Sequence, residues 1–292
     1  MAQETLARAS SAAPLRPPTN LGRIALYVTV LALCAMFGYP FFWTLMSSLK
    51  TIPEMFAFPP VQIPASPQWS NYWHVLNISY PVGRWFINSL IIVVLAVSGT
   101  VITASLVAYS FARFEYRGRN MLFMITLATM MLPAQVTLIP QFVLFYKLGW
   151  INTILPLWVP SWFGGGAFAI FLMRQFFMTI PRELEDAALM DGCNRFRIYR
   201  SIVLPLAKPV LATVTIFAFM GAWNEFFRPL IYLGNQDQYT LSLGLRVFVD
   251  AHRAEWGMMM AASTMMVLPV IVIFFLAQKH FVQGITLTGL KG

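Results

Sequence analysis

Charged side chains that could take part in chemistry or docking are concentrated in one stretch, Pro181–Pro209, of a very apolar chain. The stretch reads PRELEDAALMDGCNRFRIYRSIVLPLAKP and carries five basic side chains and four carboxylates. It contains no nucleophile, base and orienting group in a pattern typical of a catalytic site. A polar segment of this length between two apolar runs is either disordered or a docking surface, and its residue order favours docking.

The remaining reactive side chains form no pattern. His74, His252 and His280 are too far apart in the sequence to indicate a metal site. Cys34 falls in a predicted membrane span and Cys193 in a predicted cytoplasmic loop, so no disulfide is expected. We therefore predict that the chain is not an enzyme, binds no metal and holds no cofactor of its own.

Local rules predict a helical hairpin within the charged stretch. Pro181 suits the first turn of a helix, where a missing N–H costs little. Gly192 can end that helix in a left-handed conformation, and Asn194 can cap a second short helix that runs through Tyr199. Acidic residues fall near the first N-terminus, where the helix dipole favours negative charge: Glu183, Glu185 and Asp186.

Composition places the rest of the chain in a membrane. Of 292 residues, 58% are hydrophobic and 11% are charged, whereas soluble domains have about 25% charged residues. Six apolar runs approach or exceed the length of about 20 helical residues that a bilayer requires. They are Ile24–Leu49, Trp85–Phe111, Met121–Tyr146, Ile151–Met173, Val210–Phe227 and Trp256–Ala277. The sequence therefore predicts an all-α polytopic membrane protein with six transmembrane helices.

Basic residues predict how these spans are oriented. With the N-terminus in the cytoplasm, most Lys and Arg side chains fall in cytoplasmic segments, as the positive-inside rule requires. The charged stretch and both termini are then cytoplasmic. This bias and the attraction of anionic membrane lipid account for the formal charge of +9, so no nucleic-acid partner is expected.

The predicted organisation has four parts. Residues 1–20 form a disordered cytoplasmic tail. Residues 21–84 hold the first span and a Pro-rich external loop, which is expected to be extended rather than helical. Residues 85–282 form a five-helix core with a cytoplasmic loop at 178–209, and residues 283–292 form a cytoplasmic tail.

The charged stretch resembles the coupling loop of ABC importer permeases. That motif reads E-A-A, three residues, G, nine residues, I-x-L-P, and the matching residues here are Asp186-Ala187-Ala188, Gly192 and Ile202-Val203-Leu204-Pro205. Asp186 departs from the usual Glu but keeps its charge. The resemblance implies that the hairpin sits in a cleft of an ATPase subunit; without it, an ordinary amphipathic cytoplasmic hairpin remains possible. The residues expected to couple are Glu183, Glu185, Asp186, Ala187, Ala188, Asp191, Gly192, Phe196, Ile202, Leu204 and Pro205.

Short strings from about Ser48 to the C-terminus resemble the carbohydrate-uptake branch of these permeases, the MalG-like group. They are Phe86–Leu90, Ala108–Arg113, Arg117–Arg119, Met131–Pro133, Gly149–Thr153 and Trp223–Glu225. The resemblance implies a type I (MetI-like) importer fold in a bacterial inner membrane, forming half of a sugar pore. Its implied partners are a second permease subunit, two ATPase subunits that hold ATP and Mg, and an extracytoplasmic sugar-binding protein. The tail residues Gly284, Gly289, Lys291 and Gly292 are implied to contact the ATPases.

Polar and helix-breaking residues in the spans predict a substrate path, because broken helices in transporters often line one. The candidates are Gln135, Gln141, Gly165, Asn224 and Glu225. Simple kinking or close helix packing is the alternative interpretation. A local ion pair between Glu225 and Arg228 is also expected, from their spacing of three residues.

Two other functions remain open. An ion-coupled secondary transporter needs acidic groups inside the membrane, and only Glu225, near the end of a span, is available. An ABC permease for another small polar solute, such as a polyamine, shares the coupling loop, and the mid-chain strings favour sugar over it.

Overall fold

The computed structural model describes residues 20–77, 80–250 and 253–289. All but the last residue of the predicted N-terminal tail lie outside these ranges, as do Lys291 and Gly292. The helices in the described ranges are α1 (Asn20–Ser48), α2 (Ile52–Met55), α3 (Ser70–Asn77), α4 (Val82–Arg113), α5 (Arg119–Ala128), α6 (Ala134–Lys147), α7 (Leu155–Trp158), α8 (Ala167–Thr179), α9 (Glu183–Met190), α10 (Arg195–Ile198), α11 (Leu204–Leu206), α12 (Lys208–Trp223), α13 (Phe227–Tyr232), α14 (Leu241–Gly244) and α15 (Trp256–Gly289).

Shorter elements join these helices. Tight 3-10 turns cover Thr129–Met131, Val159–Trp162, Gln236–Gln238 and Leu245–Phe248, and a π-helix covers Tyr199–Val203. Strands β1 (Val249–Asp250) and β2 (Arg253–Ala254) form a two-residue antiparallel ladder that pairs Val249 with Ala254. Helix therefore dominates, as predicted.

Four segments are long and apolar enough to cross a membrane: Leu21–Ser48, Val82–Arg113, Leu155–Thr179 and Trp256–Phe275. Two further candidates are helix pairs bent at a short break, by 98° between Arg119–Met131 and Ala134–Lys147, and by 79° between Arg195–Leu206 and Lys208–Trp223. The described residues thus give four spans, or six if each bent pair is one span. This result confirms the all-α polytopic fold.

Three predicted spans differ from the observed ones. The third, Met121–Tyr146, is bent at Pro133, because proline disfavours helical geometry at the residue before it. The fourth is interrupted before Ala167, where Gly164, Gly165 and Gly166 have positive φ. The fifth ends at Trp223, so Glu225 lies beyond its end. The predicted external loop is also not wholly extended, because α2 and α3 lie within it.

Helix α4 is central to the packing. Near its C-terminal end, Ala104 and Ala108 lie in a buried cluster with Met173 and Phe177 of α8. Small side chains at such positions let two membrane helices approach closely. At the other end of α4, Trp85 is fully buried in a second cluster that includes Trp223.

The segment 236–248 is packed on the N-terminal end of α4. Trp85 Nε1 donates to the carbonyl of Gln236 (2.7 Å), and the Leu241 amide donates to Ser89 Oγ (2.8 Å). Asn88 Nδ2 donates to the carbonyls of Asp237 and Tyr239 at 2.9 and 3.1 Å. This segment is therefore held to α4 rather than free in solvent.

Candidate coupling surface and cavity

The first helix of the charged hairpin, α9, begins at Glu183, so Pro181 precedes the helix instead of lying in its first turn. The three predicted acidic residues do occupy the first turn. At the other end, Gly192 has φ +79° and its amide donates to the Leu189 carbonyl (3.0 Å), while the Cys193 amide donates to the Ala188 carbonyl (2.9 Å). This pair of bonds is a Schellman motif, which satisfies carbonyls at the helix end.

The second helix of the hairpin begins where predicted and extends further. Asn194 Oδ1 accepts from the Arg197 amide at 2.8 Å, an N-cap bond at the start of α10. The helical backbone passes Tyr199 through the π-helix and ends with α11 at Leu206. The hairpin is therefore a structured unit, capped at its turn by backbone and side-chain bonds.

A buried ion pair joins the hairpin to α4. Arg113 Nε, in the last turn of α4, lies 2.8 Å from Glu185 Oε1 of α9, and the two side chains are 3% and 4% exposed. Arg113 Nη2 also donates to the Ile180 carbonyl at 2.7 Å. Arg195, which is half-exposed, approaches Glu185 Oε2 at 3.7 Å. The geometry around Glu185 fixes the base of the hairpin to the end of a membrane helix.

Aromatic and hydroxyl contacts extend this junction. Tyr109 OH donates to Glu185 Oε2 at 3.3 Å, and the rings of Tyr109 and Tyr199 lie 5.1 Å apart. Tyr199 OH lies 2.6 Å from Ser105 Oγ. Both halves of the hairpin are thus tied to α4, one through Glu185 and one through Tyr199.

The predicted coupling residues divide between an outer surface and this junction. Glu185 and Ala188 are buried within the chain, and Ile202 and Leu204 are half-buried against the core. The exposed members are Glu183, Asp186, Ala187, Asp191, Gly192, Phe196 and Pro205. Among them Phe196 is 64% exposed, and Met190, on the other helix of the hairpin, is 90% exposed. Two large apolar side chains among exposed carboxylates form a surface suited to a protein partner. The exposed residues between 183 and 196 are called the coupling surface below.

A cavity of about 540 Å³ lies between α4, α8 and α12. Gly165 and Glu225 line it, together with Thr100, Ser161 and Phe217. Gln135, Gln141 and Asn224 do not line it: Gln141 donates to Thr137 Oγ1 (3.3 Å), and Asn224 Nδ2 to the Met220 carbonyl (2.9 Å). The structure thus brings two of the five predicted path residues to one cavity.

Glu225 has a structural role at the edge of this cavity. Its Oε1 accepts from the amides of Phe227 (3.0 Å) and Arg228 (3.3 Å), the first two residues of α13. Its Oε2 lies 3.7 Å from Arg228 Nε, which confirms the predicted local ion pair. Across the described part of the chain, no three His, Cys, Asp or Glu side chains are grouped so as to hold a metal ion.

The predicted tail residues are only partly described. The backbone of α15 continues through Gly284 to Gly289, while Lys291 and Gly292 lie outside the described residues. The junction residues Arg113, Tyr109, Tyr199 and Ser105 were not among the predicted site residues. The sequence feature that could have indicated the junction is Arg113, a charged residue directly after a long apolar run.

Long apolar helices, two bent helix pairs and a capped polar hairpin are the features of a polytopic membrane protein. Residues 100–287 match the model of the family described as binding-protein-dependent transport system inner membrane component, and the chain belongs to that family. It is an ABC transporter permease of this family, a multi-pass membrane protein.

Individual relatives agree with this assignment. The arabinooligosaccharides transport system permease protein AraQ of Bacillus subtilis is 32% identical over 279 residues, which cover 94% of this chain and 98% of the relative. The trehalose/maltose transport system permease protein MalG of Thermococcus litoralis is 31% identical, covering 93% and 98%. A crystal structure of a bacterial ABC transporter involved in the import of the acidic polysaccharide alginate contains a similar chain, with 26% identity, a TM-score of 0.77 and coverage of 90% and 98%.

Proposed function

We propose that this chain forms half of the translocation pore of an ATP-driven sugar importer and receives the ATPase stroke through the coupling surface. The observation that carries the proposal is the buried Arg113–Glu185 pair, because it connects an exposed hairpin to the end of a membrane helix. A hairpin held in this way moves together with α4 as a rigid body when the ATPase displaces it. A hairpin joined by a flexible linker would move without displacing the helix.

The proposed assembly contains a second, non-identical permease of the MalF or MalG type, two ATPase subunits and an extracytoplasmic sugar-binding protein. ATP and Mg are held by the ATPases, and this chain binds neither. The coupling surface supports contact with an ATPase, since Phe196 and Met190 are exposed apolar side chains at the tip of a polar hairpin. In the proposed orientation both termini and this surface are on the cytoplasmic side of a bacterial inner membrane, with tail residues 284–292 near the ATPases.

A sugar or polyol substrate is supported by the named relatives and by the charge of the cavity. Glu225, the carboxylate that lines the cavity, is paired with Arg228, which lines it too. Paired charges give little net attraction for a cation, which argues against a polyamine. The same pairing and the two amide hydrogen bonds to Glu225 argue against ion-coupled transport, which needs an acid free to bind and release its ion.

Co-purification and uptake test the proposal together. The importer is produced with its partner subunits, and ATP-dependent uptake of a panel of labelled sugars is measured in proteoliposomes. Phe196→Asp places an additional carboxylate on the coupling surface and is expected to release the ATPase and reduce uptake to background. Phe58→Asp is the matched control, because Phe58 is 96% exposed but lies in the external loop.

The two variants separate the alternatives. Retention of the ATPase by Phe196→Asp, with unchanged uptake, would refute the role of the coupling surface. Uptake that persists without ATP and follows an ion gradient would refute the ABC mechanism. Transport of a polyamine but of none of the sugars would leave the coupling surface intact and reject the proposed substrate class.

A further inference from the structure

A second cavity, of about 540 Å³, lies beside the junction between α4, α5, α8 and the start of the hairpin. Four of its lining residues are arginines: Arg113, Arg119, Arg174 and Arg182. Its lining includes one carboxylate, that of Glu183. The cavity is therefore strongly basic; it borders the coupling surface at Glu183 and is separate from the cavity lined by Glu225.

Two of the four arginines are already paired. Arg113 binds Glu185, and Arg182 Nη1 lies 3.5 Å from Glu115 Oε1. Arg119 and Arg174 form no ion pair with a carboxylate in the described part of the chain. Two guanidinium charges are thus left without a counter-ion at the edge of the membrane.

Existing contacts fix these two side chains without neutralising them. Arg174 Nε donates to the Phe111 carbonyl (3.3 Å), and its guanidinium lies 4.1 Å from the centre of the Phe123 ring. Arg119 Nη1 donates to the Phe114 carbonyl at 3.1 Å. Both side chains line the same cavity. Like charges held together by contacts with neutral groups favour a bound anion.

Phosphate is the anion that suits two fixed guanidinium groups, because their planar forks match its oxygens. The surroundings of the cavity decide where that phosphate comes from. Met121, Leu122 and Met178 are 68%, 50% and 51% exposed, and they lie on the two helices that carry Arg119 and Arg174. An exposed apolar surface beside a basic pocket suits acyl chains below a headgroup.

We propose that this cavity binds the phosphate headgroup of an anionic phospholipid. The proposal rests on the proposed orientation, which places the cavity at the inner leaflet. A lipid seated here contacts α5 and α8 beside the base of the hairpin, where it lies next to the Arg113–Glu185 pair. Lipid composition is then expected to influence coupling without altering the ATPase itself.

Lipid binding to the full-length chain in detergent tests this site. Native mass spectrometry compares phosphatidylglycerol with phosphatidylcholine at equal concentration, and inorganic phosphate is titrated separately. The wild-type chain is expected to retain phosphatidylglycerol preferentially. Loss of one arginine is expected to lower the apparent affinity about 5-fold. The double variant, Arg119→Gln with Arg174→Gln, is therefore expected to bind phosphatidylglycerol about 25-fold more weakly. The control is Arg117→Gln with Arg200→Gln, which removes two exposed arginines outside the cavity.

Each outcome decides the question. Equal losses in the cavity variant and in the control would mean that overall charge binds the lipid, and would overturn the site. Binding of free phosphate as strongly as phosphatidylglycerol would overturn the lipid source. If the double variant fails to fold, Arg119→Gln alone, which leaves the Arg174–Phe123 contact in place, is expected to lose about 5-fold; wild-type affinity in that variant would also overturn the site. None of these results depends on sugar uptake, so failure here is distinct from failure of the proposed function.

Discussion

Replacing Glu185 with Gln tests the physical connection between the hairpin and the membrane helix. The amide keeps the size of the side chain but leaves the Arg113 charge buried without its counter-ion. Removing one partner of a buried pair costs about 3–5 kcal/mol. The contact with half-exposed Arg195 adds little, about 0–1 kcal/mol, because solvent screens it.

This free-energy cost is expected to favour local opening of the hairpin, since most buried residues in the described part of the chain lie outside it. If all of it favours opening, protection of amides in residues 183–206 from hydrogen exchange falls by roughly 100- to 5,000-fold. The matched control is Glu183→Gln, which removes an exposed first-turn acid from the same helix. Its effect is expected to stay within about 1 kcal/mol. The measurement is hydrogen exchange of the full-length chain, followed by mass spectrometry of hairpin peptides.

A double variant and two alternative outcomes test the role of the buried Arg113–Glu185 pair further. Combining Arg113→Met with Glu185→Leu removes both charges, and most of the lost protection is expected to return, because a buried pair often contributes little net stability. Equal exchange in Glu185→Gln and Glu183→Gln would refute the claim that the buried pair holds the hairpin. Loss of protection throughout α4 and α8 would show that the pair supports the whole core instead.

Three other substitutions test packing, each by thermal unfolding in detergent against a matched control. Gly244→Ala places a Cβ about 2.0 Å from the Trp85 ring, so a loss of about 1–3 kcal/mol is expected, whereas Gly83→Ala meets no neighbour and should be neutral or stabilising. Gly165→Ala combines φ +67° with a Cβ 2.5 Å from the Thr100 carbonyl, and it should destabilise more than Gly164→Ala, which has only the backbone strain of φ +102°. Trp223→Phe removes the bond from Nε1 to the Met266 carbonyl (3.0 Å) and is expected to cost about 1–3 kcal/mol, against little for exposed Trp73→Phe. Equal unfolding temperatures within any of these pairs would contradict the corresponding contact.

The parts of the fold that follow local rules were predictable. The left-handed Gly192, the Asn194 cap and the Glu225–Arg228 pair each depend on residues within a few positions of one another. The apolar character of the long helices also follows from composition, because a bilayer sets a minimum helix length. These features need no knowledge of which helices are neighbours.

Features that depend on distant residues were not predictable. Glu185 in isolation resembles any acid in a first helical turn, and its burial depends on Arg113, which comes from another helix. The third predicted span contains Pro133, but the bend of 98° beside it is seen only in the folded chain. Gln135, Gln141 and Asn224 matched Glu225 in polarity, yet only the folded chain separates cavity-lining side chains from those that bond elsewhere.

Helix α4 has a consequence for communication between the two faces of the membrane. Its 32 residues give a length of about 48 Å. Trp85 and Ser89 hold the segment 236–248 at one end, and Arg113 holds the hairpin at the other. A single unbroken helix therefore connects the place where a binding protein docks with the place where an ATPase docks in the proposed importer. Thermodynamic linkage then makes the effect reciprocal: whatever free energy the ATP state contributes to binding-protein affinity, binding-protein docking contributes equally to nucleotide affinity.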